Sequence, residues 1–403
     1  MKKEQFPLGL YIHIPFCQQK CRYCDFYSLS QSEELMDEYT RALCAHLKEM
    51  APRAGSYTVD TVYFGGGTPS YLGVKRLKTI LAAVEKQYTL ARHAEITFEA
   101  NPDSASDWKA LRALRRAGFN RISVGMQSAA DEELRAVGRI HSFSQVQDAV
   151  AAARKAKLKN VSLDLIYGLP NQTMESFQAS LKAAVELNPE HISCYGLKLE
   201  EGTPLFLERT SLTLADDDLQ ADMYLFAVSY LKEHGYMQYE ISNFAKPGFE
   251  SRHNLKYWTM ADYVGFGPGS HSDFGGVRYS FDRDLQAYID GTLHGKQMPV
   301  ESEDLPNWTR DTEYIMLRMR TVQGIEPKYY ERTFRQRFSI FLPLFEQYEK
   351  AGFAERGEQD SWHFTPKGFL LSNTLINGLL DTLAEEKQRR LDATARGDFM
   401  VRR

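Results

Sequence analysis

Three cysteines fall within eight residues, in the run Cys17-Gln18-Gln19-Lys20-Cys21-Arg22-Tyr23-Cys24. Thiolates are soft ligands, suited to zinc and to iron–sulfur clusters. The chain has five cysteines in all, an odd count, and this crowding is not a disulfide framework. A reducing compartment keeps such thiols free, and clustered ones there are more often metal ligands. Zinc usually draws a fourth Cys or His at matching spacing, often in a second C-x2-C pair, and none follows here. His13 is close in sequence but sits in an alternating strand pattern. Three thiolates on an iron–sulfur cubane leave one iron without a protein ligand, open to an external chelate. Cys44 and Cys194 fall on a helical stretch and in an apolar run, and both read as core residues.

A ligand loop needs a scaffold. Apolar runs rich in Val, Ile, Tyr and Phe predict strands at Leu8–Ile14, Thr61–Phe64, Glu95–Ala100, Arg121–Met126, Val161–Tyr167 and His191–Leu197. Between them, helical periodicity predicts helices at Glu33–Met50, Val74–Gln87, Ser106–Ala117, Ser144–Ala156 and Met174–Leu187. Asp103-Ser104 and Ser142 read as N-caps, and Ala117-Gly118 as a helix exit. Strands spaced by single helices imply βαβ units and a parallel sheet. Polar or Gly-rich residues close each strand at its carboxyl end. A barrel gathers all those ends on one rim, whereas a doubly wound sheet gathers only those near its switch point. The expectation is an α/β fold: a partial (β/α)6 barrel over residues 1–235, then a loop-rich connecting segment over 236–300, in which Tyr239–Gly276 reads as loops with short strands. A mostly helical, winged-helix-like domain is expected over 301–380, with a hairpin at Phe353–Thr365 turning at Gly357. A charged tail completes the chain over 381–403.

Composition bounds the function. Of 403 residues, 43% are apolar and 25% charged, as in soluble globular proteins, and the net charge of −4 offers no basic field for nucleic acid. No apolar run reaches the roughly 18 residues that span a bilayer. The N-terminal MKKEQFPLGLYIHIPF lacks a long apolar core, so a cytoplasmic protein is expected.

The C-x3-C-x2-C spacing, with Tyr23 before the last cysteine, resembles that of the radical S-adenosylmethionine superfamily. That resemblance implies a [4Fe–4S] cluster on Cys17, Cys21 and Cys24, with the cofactor's amino and carboxylate groups on the unique iron. Electron transfer from the cluster would then cleave the sulfonium bond to a 5′-deoxyadenosyl radical. The same resemblance assigns Gly66, Gly67 and Thr68, in Gly65-Gly66-Gly67-Thr68-Pro69, to the methionine end of the cofactor. Glu99, at the end of the third strand, would take its ammonium or ribose. Gln127, Arg139 and Gly196 complete the shell, Arg139 as partner of the carboxylate. Asp164 is a charge inside an apolar strand and needs a partner. Tyr11 and Tyr23 flank the cysteines and are candidates to pack on the adenine.

Further motifs (YIHIPFC, CRYCDF, FGGGTP, SVGMQS, DLIYGLP and EISNFAKPG) resemble the oxygen-independent coproporphyrinogen III oxidase-like group. That group holds a true decarboxylase and a class of heme chaperones. The decarboxylase carries an extra cysteine two positions after its last cluster ligand, where this chain has Phe26. It also has a longer N-terminal region, whereas 16 residues precede Cys17 here. His253-Asn254-Leu255-Lys256-Tyr257-Trp258 looks like the HNxxYW signature of the chaperone class. The implied function is binding heme and transferring it to apo-hemoproteins, with a cluster and S-adenosylmethionine as cofactors. Oxidative decarboxylation of coproporphyrinogen III is the alternative. A neutral His253 can ligate heme iron, and Tyr257 and Trp258 offer flat apolar faces to a porphyrin. Arg252 and Lys256 are candidates to meet propionates, with Asn254 beside them. His271 is a second candidate ligand. Expected recipients include respiratory hemoproteins at the membrane face, and a homodimer is a further expectation.

Overall fold

A computed structural model of the chain describes residues 6–30, 33–298, 300–306 and 309–395. Six strands, β1 (Phe6–Ile14), β2 (Tyr57–Gly66), β3 (Leu90–Ala100), β4 (Arg121–Gln127), β5 (Asn160–Tyr167) and β6 (His191–Gly196), pair in parallel in that order. Each expected strand is present; the first five are extended by one to several residues, and the sixth ends one residue early, at Gly196. Helices Glu33–Met50 and Val74–Gln87 have the expected bounds; Phe143–Lys155 lies one residue earlier at both ends, and Met174–Glu186 ends one residue early. Helix Trp108–Ala117 starts later than expected. Asp107 caps it, accepting the Lys109 N–H at 2.8 Å, while Asp103 and Ser104 form a separate 3-10 turn begun by Pro102. Gly118, at φ +121°, ends that helix as expected.

A two-residue alternation builds the barrel wall, because successive strand side chains point to opposite faces. Leu8, Leu10, Ile12 and Ile14 of β1 are all 0% exposed and pack under the helices with Val62, Phe64, Phe98, Ile122, Val124 and Leu163. Full burial of such side chains is worth about 1.5–3 kcal/mol each. The helix Glu33–Met50 meets them with Met36, Tyr39, Leu43 and Leu47, one stripe at three- and four-residue spacing. The opposite register carries Tyr11, Tyr63, Glu99, Ser123, Asp164 and Ser193. These polar groups face the interior of the barrel, and all but Tyr11 line its cavity.

The segment expected as loops with short strands extends the sheet on both sides. On one edge β7 (Met237–Gln238) pairs with β8 (Asn243–Ala245), and β8 runs antiparallel to β6. On the other, β9 (Tyr263–Phe266) lies parallel to β1, followed by β10 (His271–Phe274), β11 (Val277–Phe281) and β12 (Val300–Asp304). Strands of two to five residues interrupted by glycines leave too little periodicity to be read. The chain divides into two compact units, the first holding the barrel and these strands to Asp304, the second holding Tyr239–Ile241, Tyr257–Met260 and 305–403. The second unit is mostly helical and carries a two-stranded ribbon, β13 (Ala354–Arg356) and β14 (Trp362–Phe364), at the expected hairpin. Helix Ser372–Ala395 runs through the expected boundary at 380, and 396–403 lie outside the described residues. Among the described residues no helix is long and apolar enough to cross a membrane.

Candidate cofactor site

The cysteine loop leaves β1 and is pinned at several points. Leu29 N–H bonds Pro15 O at 2.8 Å and Cys17 N–H returns to Leu29 O at 3.0 Å, closing the loop on itself. Arg22 N–H bonds Val137 O at 3.1 Å, tying the middle of the loop to the end of the short helix Asp131–Ala136 that follows β4. The Gly-rich segment locks beneath it. Gly67 N–H bonds Ile14 O at 2.8 Å and Thr68 N–H bonds Phe16 O at 2.7 Å, and Thr68 Oγ1 then lies 3.2 Å from Cys17 Sγ. Arg139, partly buried, aims Nη1 at Cys21 Sγ at 3.5 Å. Its Nη2 donates to Asn101 Oδ1 at 2.9 Å and to Gly125 O at 2.8 Å. Burial pushes the Cys17 thiol up and the Cys24 thiol up to about 11. Such thiols hold their protons until a metal displaces them.

Among the described residues no three His, Cys, Asp or Glu side chains converge on a point as a single ion requires. A cubane asks for something else, one thiolate per iron at separate corners. Three free thiols on one loop, a guanidinium at one sulfur and a hydroxyl at another fit that demand.

All three cysteines line one cavity of about 600 Å³ at the carboxyl ends of β1–β6. Tyr23, Gly66, Gly67, Thr68, Glu99, Gln127, Arg139, Asp164, Gly196 and Asn254 line it too. Glu99 accepts from Tyr63 OH at 2.7 Å and from Gly66 N–H at 3.2 Å. Burial nevertheless pushes its carboxyl up to about 7. Asp164 accepts from Ser123 Oγ at 3.0 Å and from Ser193 Oγ at 2.7 Å, which answers the partner its strand position demanded. Burial raises its pKa as well. Gln127 sits at φ +63°, at the bulge where β4 loses register with β5, and that turns its side chain into the cavity.

Several expected residues lie elsewhere. Tyr11 is not on the cavity wall; its hydroxyl donates to His13 Nδ1 at 3.1 Å, since His13 Nε2 must carry the proton that reaches Tyr27 O at 3.0 Å. His253 is 0% exposed, on the helix Arg252–Thr259, with Nδ1 2.9 Å from Thr61 Oγ1. A ring enclosed in this way is not open to a porphyrin iron, which corrects the ligand role expected for it. Lys256 is buried against Asp60 at 2.8 Å, so it is not free to meet a propionate. Tyr257 and Trp258 are half-buried on the same helix, among residues that belong to the second unit. His271 is exposed at the start of β10.

Tyr63, Asn101, Arg121, Ser123 and Ser193 line the cavity without having been singled out as cofactor contacts. Strand alternation could have found four of them, since each shares the interior register of Glu99 or Asp164. Arg121 is the least expected, an arginine only 1% exposed inside a barrel.

Glu99 makes a measurable prediction. In the empty site it keeps a proton up to about pH 7. An ammonium or sulfonium ligand favours the carboxylate, so binding below that pH must expel the proton. Affinity for S-adenosylmethionine should therefore rise about tenfold per pH unit up to about 7 and level off above it. Equilibrium dialysis from pH 6 to 8.5 measures this, and Glu99→Gln should flatten the profile. A flat wild-type profile would place Glu99 outside the ligand's reach.

Comparison with known proteins agrees with the site. The Radical SAM superfamily matches residues 11–184. The protein curated as heme chaperone HemW in Escherichia coli strain K12 is 37% identical over 383 residues, covering 92% of this chain and 97% of that one. Its Bacillus subtilis namesake is 34% identical over 378 residues, covering 93% and 99%. The solved coproporphyrinogen III oxidase HemN of Escherichia coli, a radical SAM enzyme, superposes with a TM-score of 0.79 over 93% of this chain and 90% of that chain. Its identity is 24%, a likeness of fold. The superfamily implies a [4Fe–4S] cluster and S-adenosylmethionine, which supply one-electron chemistry when bound, and the cysteine loop and cavity fit both. With near-complete coverage at these identities, the chain belongs to the HemW family of the radical SAM superfamily.

Proposed function

We propose that this protein is a heme chaperone that binds heme at the mouth of the cofactor cavity and passes it to an apo-hemoprotein. The observation that carries this reading is the near-full-length identity to proteins curated as heme chaperones. The mouth of the cavity supports it. Phe26 is 66% exposed and Tyr195 40% exposed, offering flat apolar surface to a macrocycle. Lys20, Lys198 and Arg283 line the same cavity and suit propionates. His271, the exposed one of the two candidate histidines, has its pKa lowered by partial burial and then by Arg283 nearby. It is the ligand we assign to heme iron, in place of His253. The recipients we expect are respiratory hemoproteins at the membrane face.

Heme titration of anaerobically reconstituted protein tests the reading. One heme per chain should bind, with a Soret band that moves to an added apo-cytochrome. His271→Ala should shift that band and weaken binding about tenfold, as expected for loss of one axial ligand. Absence of heme binding would sink the proposal. Conversion of coproporphyrinogen III to protoporphyrinogen IX, with reductant and S-adenosylmethionine, would put the decarboxylase in its place.

A further inference from the structure

We propose that His253 is a positioning residue of the cofactor site: it holds Tyr11 and Tyr63 in the ring stack that fixes Glu99 and the Gly66 turn. The proposal rests on reading the cavity as the S-adenosylmethionine site.

The first part of the helix Arg252–Thr259 is held by residues near the middle of β1, β2 and β3. Glu95, on the interior face of β3, accepts the N–H groups of Arg252 and His253 at 3.1 Å each, an anion at the helix N-terminus. Lys256 anchors the next turn on Asp60 and lays its stem across Gly9, where an added Cβ would come within 2.7 Å of Lys256 Cδ. Gly9 thus clears the way for the helix. These anchors fix the His253 ring, and Thr61 sets its rotation through the 2.9 Å bond to Nδ1.

From that ring two lines run to the cofactor shell. His253 stacks on Tyr63, with centroids 5.2 Å apart and planes 22° apart. Tyr63 OH then donates to Glu99 Oε1, and Glu99 Oε2 accepts the Gly66 N–H. His253 also lies near-parallel to Tyr11, with centroids 6.4 Å apart. Tyr11 OH holds His13, whose ring fills the space where Gly66 lacks a Cβ. Both lines end at Gly66, which sits at φ +108°. A histidine that merely filled the core would need neither of them. The motif residue next to it, Asn254, lines the cavity itself.

Loss of the ring frees Tyr63 to move off Glu99, and the consequence can be read in the pH profile. Glu99 faces Tyr63 and the Gly66 amide from β2, Arg121 from β4 and Asp164 from β5. Of these, the Tyr63 hydroxyl is the strongest influence holding the carboxyl pKa down. Without it the midpoint of the affinity profile should rise by roughly half a unit.

The experiment uses cluster-reconstituted full-length chain, S-adenosylmethionine dialysis across pH, and heme titration of the same samples. His253→Ala should weaken S-adenosylmethionine about tenfold and raise the pH midpoint, with the Soret band and heme stoichiometry unchanged. His253→Phe restores a flat ring and should stay within about threefold of wild type. In a Tyr63→Phe background, His253→Ala should cost less than about threefold more, because the hydroxyl it positions is already gone. An unchanged midpoint and affinity in His253→Ala overturns the proposal. Should the alanine variant fail to fold, His253→Phe decides: a displaced Soret band overturns the proposal, and a wild-type band with near-wild-type cofactor affinity upholds it. Wild-type protein that binds heme but no S-adenosylmethionine overturns the cavity reading and the proposal with it.

Discussion

Serine at Cys17, Cys21 or Cys24, one position at a time, should empty the cluster site. Wild-type protein reconstituted without oxygen should hold about four iron and four inorganic sulfide per chain, and each variant less than about one. The loss should be large because each thiolate would hold its own iron and the loop has no fourth thiol to replace one. Serine is no substitute: its hydroxyl is hard, and it stays protonated near neutral pH. The neighbours lose their purpose with the thiol. Thr68 Oγ1 at Cys17 and Arg139 Nη1 at Cys21 are placed for sulfur, at 3.2 and 3.5 Å. S-adenosylmethionine binding should fall in parallel, since its chelate depends on the open iron. Cys44→Ser and Cys194→Ser serve as controls. Cys194 is 1% exposed in β6 beneath the helices, so a hydroxyl there should lower stability by about 1–3 kcal/mol while leaving iron content intact. Equal iron in all five variants, or zinc without sulfide in the wild type, would sink the cluster assignment.

How far the site could be read before folding depends on sequence distance. The cysteine loop was legible because its ligands are local: three thiols on eight residues are brought together by any turn. The barrel strands were legible because their outer faces are unbroken runs of Val, Ile, Leu and Phe. The interior face was half legible. Asp164 stands out as a charge among apolar neighbours, whereas Ser123, Ser193 and Tyr63 share its register yet look ordinary in sequence. Their role appears only when the barrel closes and sets Ser123 and Ser193 on Asp164. The roles expected for His253 and Lys256 in the HNxxYW segment fail for a related reason. A histidine beside aromatics and cations suggests an exposed ligand patch. Nothing local says that Glu95, more than 150 residues earlier, caps the helix, or that Gly9 makes room for it. Short strands are expected in the loop-rich segment, but the places and partners of β9–β12 are not legible, because they pair with β1 and each other in ways that periodicity cannot register.

Gly67→Ala should strike stability and cofactor binding together, because one methyl group there presses on the cysteine loop itself. An added Cβ there would lie 2.7 Å from Phe16 O, 2.8 Å from Ile14 O and 2.9 Å from Phe16 N. All three are backbone atoms of the segment leading into the cysteine loop, so no side chain can swing away to relieve the contact. The segments must part, and the bonds from Gly67 N–H to Ile14 O and from Thr68 N–H to Phe16 O lengthen or break. Overpacking typically costs about 1–3 kcal/mol and each lost hydrogen bond about 1 kcal/mol, which sums to roughly 3–5 kcal/mol. In a unit of this size Tm should fall by about 5–15 °C. Function should suffer more than stability. Thr68 is carried away from Cys17, and Gly66 loses its hold on Glu99, so cofactor affinity should drop about a hundredfold or more. Gly55→Ala is the control. Gly55 sits at φ −61° and ψ −19°, a helical conformation that alanine adopts freely, and the nearest atom to its added Cβ is Pro52 O at 3.4 Å. That variant should stay within about 0.5 kcal/mol of wild type. Thermal melts of both, with S-adenosylmethionine dialysis on the same samples, separate the two effects. A Gly67→Ala protein that melts and binds like wild type would show that the Gly-rich turn does not press against the cysteine loop as these contacts require.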